Sequence, residues 1–202
     1  MVLHMTNSAD PRALLRSALL QASQVIESTK PDQMELPTPC SEFDVRMLTG
    51  HMLFAARRIG EAGRRDEMTT DAKAVIGDVP DEGLALAFRS ATAQANAAWA
   101  APDSLDGEIA LPFGTFPAGV VASIYVIEHV THAWDLARAV SSGVILDDEL
   151  AEAALAFAAE MIPAEARGDG PDLPFAAPVA VTADAPAYDR LAGFMGRDPS
   201  AG

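Results

Sequence analysis

The chain has 202 residues, half of them hydrophobic and only 6% aromatic, and a formal net charge of −15. Such an acidic excess argues against nucleic acid or an anionic membrane surface as a partner, because both select for clustered Lys and Arg. The single cysteine, Cys40, excludes an internal disulfide and agrees with a reducing cytoplasm. No apolar run reaches about 18 residues and the first ten lack the layout of a signal peptide, so the expected location is cytoplasmic.

The length suits one domain with its own core, and abundant alanine with few aromatics favours helices packed on helices. His4 lies in a loose lead-in and is read as a solvated terminal side chain. Asp10 followed by Pro11 makes a helix start, with the aspartate as N-cap and the proline at the first helical position. A helical stripe through Leu15, Leu19, Ala22 and Ile26 continues to about residue 28. Three prolines in residues 30–40 then demand an extended connection. Asp44 caps a second helix to about residue 63, with Met47, Leu48, His51, Phe54 and Ile59 on its stripe. Residues 64–78 are polar and break the pattern. A third helix opens at Pro80 or Asp81 and ends near residue 100, with Leu84, Phe88, Ala95 and Trp99 on one face.

Residues 102–115 read as a long loop in which 108–111 could extend. Pro117 begins a fourth helix reaching about residue 140. Asp147 caps a fifth, over 148–162, closed by Pro163. Residues 167–178 are rich in Gly, Pro and Asp and read as a loop or linker; a short strand over 177–181 and a last helix over 185–195 complete the chain. No fixed-period repeat is present.

The fourth helix carries Glu128, His129, His132 and Asp135 inside an apolar run. Such groups are costly to bury unless paired or bound to a metal. Glu128 and His132, four residues apart, share a helix face. With His51 from the second helix they would supply two imidazoles and a carboxylate, a common set for a catalytic zinc with one position open; nickel, iron or cobalt would also accept it. His129 is three residues from His132, so a set of His51, His129 and His132 is also geometrically open. The plainer readings are a surface acid at Glu128, a core or supporting role for His51, and a buried hydrogen-bonded network without metal.

Residues 38–46 (Thr-Pro-Cys-Ser-Glu-Phe-Asp-Val-Arg), followed by Leu48 and His51, resemble the loop and second helix of the mycothiol-dependent maleylpyruvate isomerase family, within the DinB-like superfamily. Glu128, His132, Ala133, Trp134, Asp135 and Leu136 resemble its second motif. Asp184, Ala185 and Pro186, then Asp189, Arg190 and Leu191, and finally Phe194, Gly196, Arg197, Asp198 and Pro199, resemble the tail of an uncharacterised actinobacterial branch. The resemblance implies an all-α fold: a DinB-like four-helix bundle over residues 1–166, with an additional helix, and a short C-terminal appendage over 167–202 packed on the same domain. It further implies His51, Glu128 and His132 as metal ligands, with His129 the runner-up. Other members of the superfamily place a third histidine where this chain has Glu128.

The function so implied is that of a divalent-metal-dependent thiol transferase or isomerase, with zinc the expected metal and nickel the alternative. A low-molecular-weight thiol such as mycothiol would be activated on the metal to attack an electrophile. The expected partners are thus a small-molecule thiol and an electrophilic substrate; a homodimer is admitted, and no catalytic side chain is singled out. Arg190 and Arg197 are weighed as anion clamps against capping or surface salt bridges. Asp135 would orient an imidazole or fix two helices, Trp134 is read as core or interface, and Cys40 as packing at the entry to the second helix. The alternative from another class is a noncatalytic metal-binding or small-molecule-binding bundle.

Overall fold

The computed structural model describes residues 10–68, 79–168, 173 and 175–201; His4, most of the polar stretch expected at 64–78 and part of the loop expected at 167–178 lie outside them. Among the described residues the fold is all-α apart from one small hairpin. Helix α1 spans Pro11–Ser28, α2 Val45–Arg64, α3 Asp81–Trp99, α4 Ala118–Ala139, α5 Asp148–Met161 and α6 Ala187–Phe194. Their starts follow from local chemistry. The carboxylates of Asp10, Asp44 and Asp147 accept hydrogen bonds from the backbone N–H groups of Arg12, Met47 and Glu149, satisfying donors that the first helical turn leaves free. Helix α2 ends where Arg65 takes the left-handed conformation at φ 62°, and the Arg65 side chain donates to the carbonyls of Ser104, Asp106 and Glu108. That fastens the end of α2 to the segment leading into the hairpin.

The four long helices close on one another: α2 packs on α3 and α4, while α1 packs on α4 and α3. The α2–α3 contact is close because its residues are small. A Cβ built on Gly63 would lie 2.8 Å from Trp99 Nε1 and 2.9 Å from the Ala98 Cβ. Trp99 Nε1 in turn donates to the Ile59 carbonyl at 2.7 Å, giving the buried indole the acceptor it needs. Helix α4 also carries α5 and α6 on its other side. It is buried on nearly every face, which explains a sequence apolar all round rather than striped.

Three details depart from the sequence reading. The extended piece expected at 108–111 is strand β1, Glu108–Leu111, but it pairs antiparallel with an unforeseen β2, Gly114–Pro117, in register Ile109 to Phe116. The hairpin buries Ile109 and Leu111 and delivers Pro117 as the residue before α4. The strand expected over 177–181 does not form. That segment lies across α6 instead, with Val179 N–H donating to the Gly193 carbonyl at 2.8 Å and Val181 filling the space a Gly193 side chain would need. With no neighbouring strand to pair with, extended backbone makes no ladder. The last helix is also shorter than expected, beginning after Pro186. Among the described residues no helix is long and apolar enough to cross a membrane.

Candidate metal centre

Helix α2 presents His51 two turns after its Asp44 cap, and Phe43, just before that cap, stacks on the imidazole with ring centroids 5.1 Å apart. Across from it, α4 presents Glu128 and His132. His51 Nε2 hydrogen-bonds the Glu128 Oε1, and His132 Nε2 lies 3.7 Å from the same oxygen. The two imidazoles meet edge to face with centroids 5.0 Å apart. One donor atom from each of the three residues falls within 4.8 Å of the others. The cluster has an open side: the His51 and Glu128 side chains remain 32% and 30% exposed, while that of His132 is only 10% exposed.

What fixes His132 is Asp135, one turn further along α4. Its carboxylate is fully buried and accepts from His132 Nδ1 at 2.9 Å. A carboxylate cannot donate, so Nδ1 carries the hydrogen and the Nε2 lone pair is left facing Glu128 and His51. Arg197, in the tail after α6, grips the same carboxylate with Nη2 at 2.8 Å from Oδ2 and Nε at 3.2 Å from Oδ1. Neither the surface salt bridge nor the anion clamp considered for Arg197 describes this buried pair. Arg190 does form an ion pair of the ordinary kind, with the exposed Glu152.

The charges are arranged accordingly. Burial acts to raise the Glu128 pKa, but the charge of His132 and the hydrogen bond from His51 hold it well below the usual carboxylate range. For His51 burial works against the charged form, and the hydrogen bond and charge of Glu128 outweigh it, leaving the imidazole above its ordinary value. Asp135 is likewise lowered: burial opposes ionisation, while His132 and Arg197 favour it more strongly. Glu128 is thus held in the ionised form that a metal ligand needs, while His51 is favoured in its protonated form and would release that proton on binding a cation.

His129 points elsewhere. It is completely buried, hydrogen-bonds the Tyr125 carbonyl through Nδ1 at 2.8 Å, and lies against Phe88; its Nε2 has no partner. Burial, before any other influence, lowers its pKa and keeps it neutral. A second grouping among the described residues joins Cys40 to His132 and Asp135. It suits a cation poorly, since Asp135 is already committed to Arg197 and burial pushes the Cys40 thiol up to about 11. Trp134 is buried against the Arg138 guanidinium, which lies 5.7 Å from the ring centroid, and takes no part in the cluster.

Phe43 and Arg197 are the two contributors whose roles were missed. Phe43 lies within the recognised loop motif, but nothing in its spacing announces a stack on His51. Arg197 is 62 residues from its partner, and only the fold relates them.

Fold and site together define a class: an all-α bundle with a three-residue nitrogen and oxygen donor cluster at its open side. The chain belongs to the family described as the mycothiol maleylpyruvate isomerase N-terminal domain, which matches residues 15–137. It is also similar to two uncharacterised proteins of Mycobacterium tuberculosis, from strains CDC 1551 / Oshkosh and H37Rv. Each is 31% identical over 188 residues, covering 93% of this chain and 98% of the relative. No solved structure matches it. The family match includes His51, Glu128, His132 and Asp135; Arg197 lies beyond it.

Proposed function

We propose that the protein is a divalent-metal-dependent enzyme that adds a low-molecular-weight thiol to an electrophile, with His51, Glu128 and His132 holding the metal. The observation that carries this reading is the orientation of His132. Its Nδ1 is anchored on a buried carboxylate, so its free Nε2 is directed at the carboxylate and imidazole from which a metal site would be completed. Two nitrogens and one oxygen suit zinc with a position left open, and nickel accepts the same donors. When bound, such a metal would lower the pKa of a thiol enough to give a thiolate at neutral pH.

The chain's own residues do the rest. The proton shared by His51 and Glu128 is the one a cation would displace. Phe43 holds the His51 ring by stacking, and Arg197 with Asp135 holds that of His132. The partial exposure of His51 and Glu128 leaves a way in for substrates. Cys40 is a poor candidate for the nucleophile, because burial keeps its thiol protonated. The family description names mycothiol, which is the thiol we propose. The noncatalytic alternative would be favoured by a closed shell with His129 as fourth ligand, and His129 is turned to the Tyr125 carbonyl.

Elemental analysis of protein purified without a histidine tag or chelating column should find about one divalent ion per chain. His51→Ala and His132→Ala should lose it; full retention in both variants would overturn the ligand assignment. The metal-loaded protein is then assayed with mycothiol against a panel of electrophiles, and absence of any metal-dependent thiol consumption would leave the noncatalytic reading in its place.

A further inference from the structure

Arg58 is unusual among the arginines of this acidic chain. Acidic residues outnumber basic ones 29 to 14, and Arg12, Arg46, Arg64, Arg89, Arg190 and Arg197 each reach a carboxylate. The Nε and Nη2 atoms of Arg58, by contrast, are shielded from solvent and have no hydrogen-bond partner. These two nitrogens form one edge of the guanidinium, and their parallel N–H bonds match the two oxygens of a carboxylate. Phe54 supports the charge, with its ring centroid 5.3 Å from Cζ, but it has no oxygen to accept either N–H. A dry donor edge without acceptors is costly to a fold, and here the cost falls on two donors that act as a unit.

The position of this edge gives it a use. Helical side chains lean toward the helix N-terminus, and the guanidinium accordingly lies over Phe54, one turn back along α2. Phe54 is three residues beyond His51, so its own place on the helix is roughly 5 Å along the axis from that of His51. From α4 the Tyr125 side chain, three residues before Glu128, is within electrostatic reach. Burial pushes the Tyr125 hydroxyl up to about 12 against the pull of the Arg58 charge. Arg58 thus stands two turns beyond His51 on α2, and on α4 the Tyr125 side chain that its charge reaches stands one turn before Glu128.

We propose that the Nε and Nη2 edge of Arg58 is a carboxylate-binding subsite, which holds the acid group of a small substrate while its reacting carbon lies at the cluster of His51, Glu128 and His132. The role as a substrate subsite rests on the function proposed above, whereas the binding of a carboxylate does not. The residue is half-buried, and rotation of its long side chain is the movement that would admit the anion.

The test uses full-length protein labelled with nitrogen-15 arginine. The Arg58 Nε–H resonance is assigned by its loss in Arg58→Lys, and benzoate is titrated beside uncharged benzamide, with and without zinc. Benzoate is expected to shift that resonance and to bind at least tenfold more tightly than benzamide. Arg58→Gln should weaken benzoate tenfold or more, and Arg58→Lys, which keeps the charge but loses the fork, should weaken it less. Failure of benzoate to bind, equal binding of benzamide, or undiminished benzoate affinity in a folded Arg58→Gln protein would overturn the proposal. Because the zinc-free titration stands alone, failure of the metal assignment would show in elemental analysis and leave this result intact. On the zinc-loaded protein, an Arg58-dependent preference for 3-mercaptopropionate over 2-mercaptoethanol would place the carboxylate on the thiol. No such preference, with benzoate binding retained, would place it on the electrophile.

Discussion

Asp135 and Arg197 form a buried two-point ion pair across 62 residues, and the carboxylate at its centre also holds the Nδ1 hydrogen of His132. Removing one partner of such a pair strands the other charge away from water. Arg197→Ala is expected to lower unfolding stability by about 3–5 kcal/mol, measured by urea denaturation. Asp135→Asn keeps the shape of the side chain but can present an N–H where His132 needs an acceptor. Metal affinity should then fall by about 10–100-fold in competition with a chelator. An affinity unchanged in Asp135→Asn would mean that the hydrogen bond does not orient His132.

Metal binding should also stabilise the fold, because the donors come from two different helices that unfolding separates. At a free zinc concentration of about one hundred times Kd the gain would be about 2.7 kcal/mol, read as a rise in melting temperature. His132→Ala should abolish that rise. His129→Ala opens a cavity in the core and is expected to cost about 2–5 kcal/mol, yet the zinc-induced rise should persist. Loss of the rise in His129→Ala, with the protein still folded, would restore His129 as a ligand.

Cys40 offers a pH test. Burial, only partly offset by Arg197, raises its thiol pKa to about 11. The reactive thiolate is therefore scarce near neutrality. At pH 8 the folded protein should be alkylated by iodoacetamide roughly a hundredfold more slowly than an unperturbed cysteine of pKa about 8.5, with the rate climbing until the pH passes the raised value. Unfolding in urea should erase the difference. Cys40→Ser should leave thiol transfer in place; its loss, with metal content unchanged, would assign Cys40 a part in the chemistry.

The α2–α3 contact can be probed at Gly63. An added methyl would meet the Trp99 indole and the Ala98 Cβ at under 3.0 Å, and both belong to a packed helix. Gly63→Ala should therefore destabilise the protein by about 1–3 kcal/mol. Gly143→Ala, where nothing lies within 4 Å of the new carbon, should change stability by less than about 0.5 kcal/mol.

The helices were legible in the chain because their signals are local. Asp10 with Pro11, Asp44 and Asp147 act as caps within three residues of the groups they satisfy, and each does so in the structure. The hairpin was half legible. Strand β2 has only four residues, too few to show alternation, and it exists through pairing with β1. The segment at 177–181 failed for the complementary reason, since it has extended composition and no strand beside it. At the site, the i to i+4 spacing of Glu128 and His132 predicted a shared face; the meeting with His51 is tertiary, suggested by that residue's place on the apolar stripe of a second helix and singled out from the set with His129 only by resemblance to a family motif. His129 was ambiguous by spacing. Its fate was decided by Phe88 on α3 and the Tyr125 carbonyl, which fill its side of α4.

The reach of Arg197 into the bundle bears on how the fold can be divided. A chimaera that kept residues 15–137 and took its ending from another protein would inherit the three donors and Asp135, but not the guanidinium that neutralises it. Grafting the donors to a new host therefore means carrying the final turn of the tail with them. The portable unit is discontinuous, and its last piece lies outside the two helices that carry the donors.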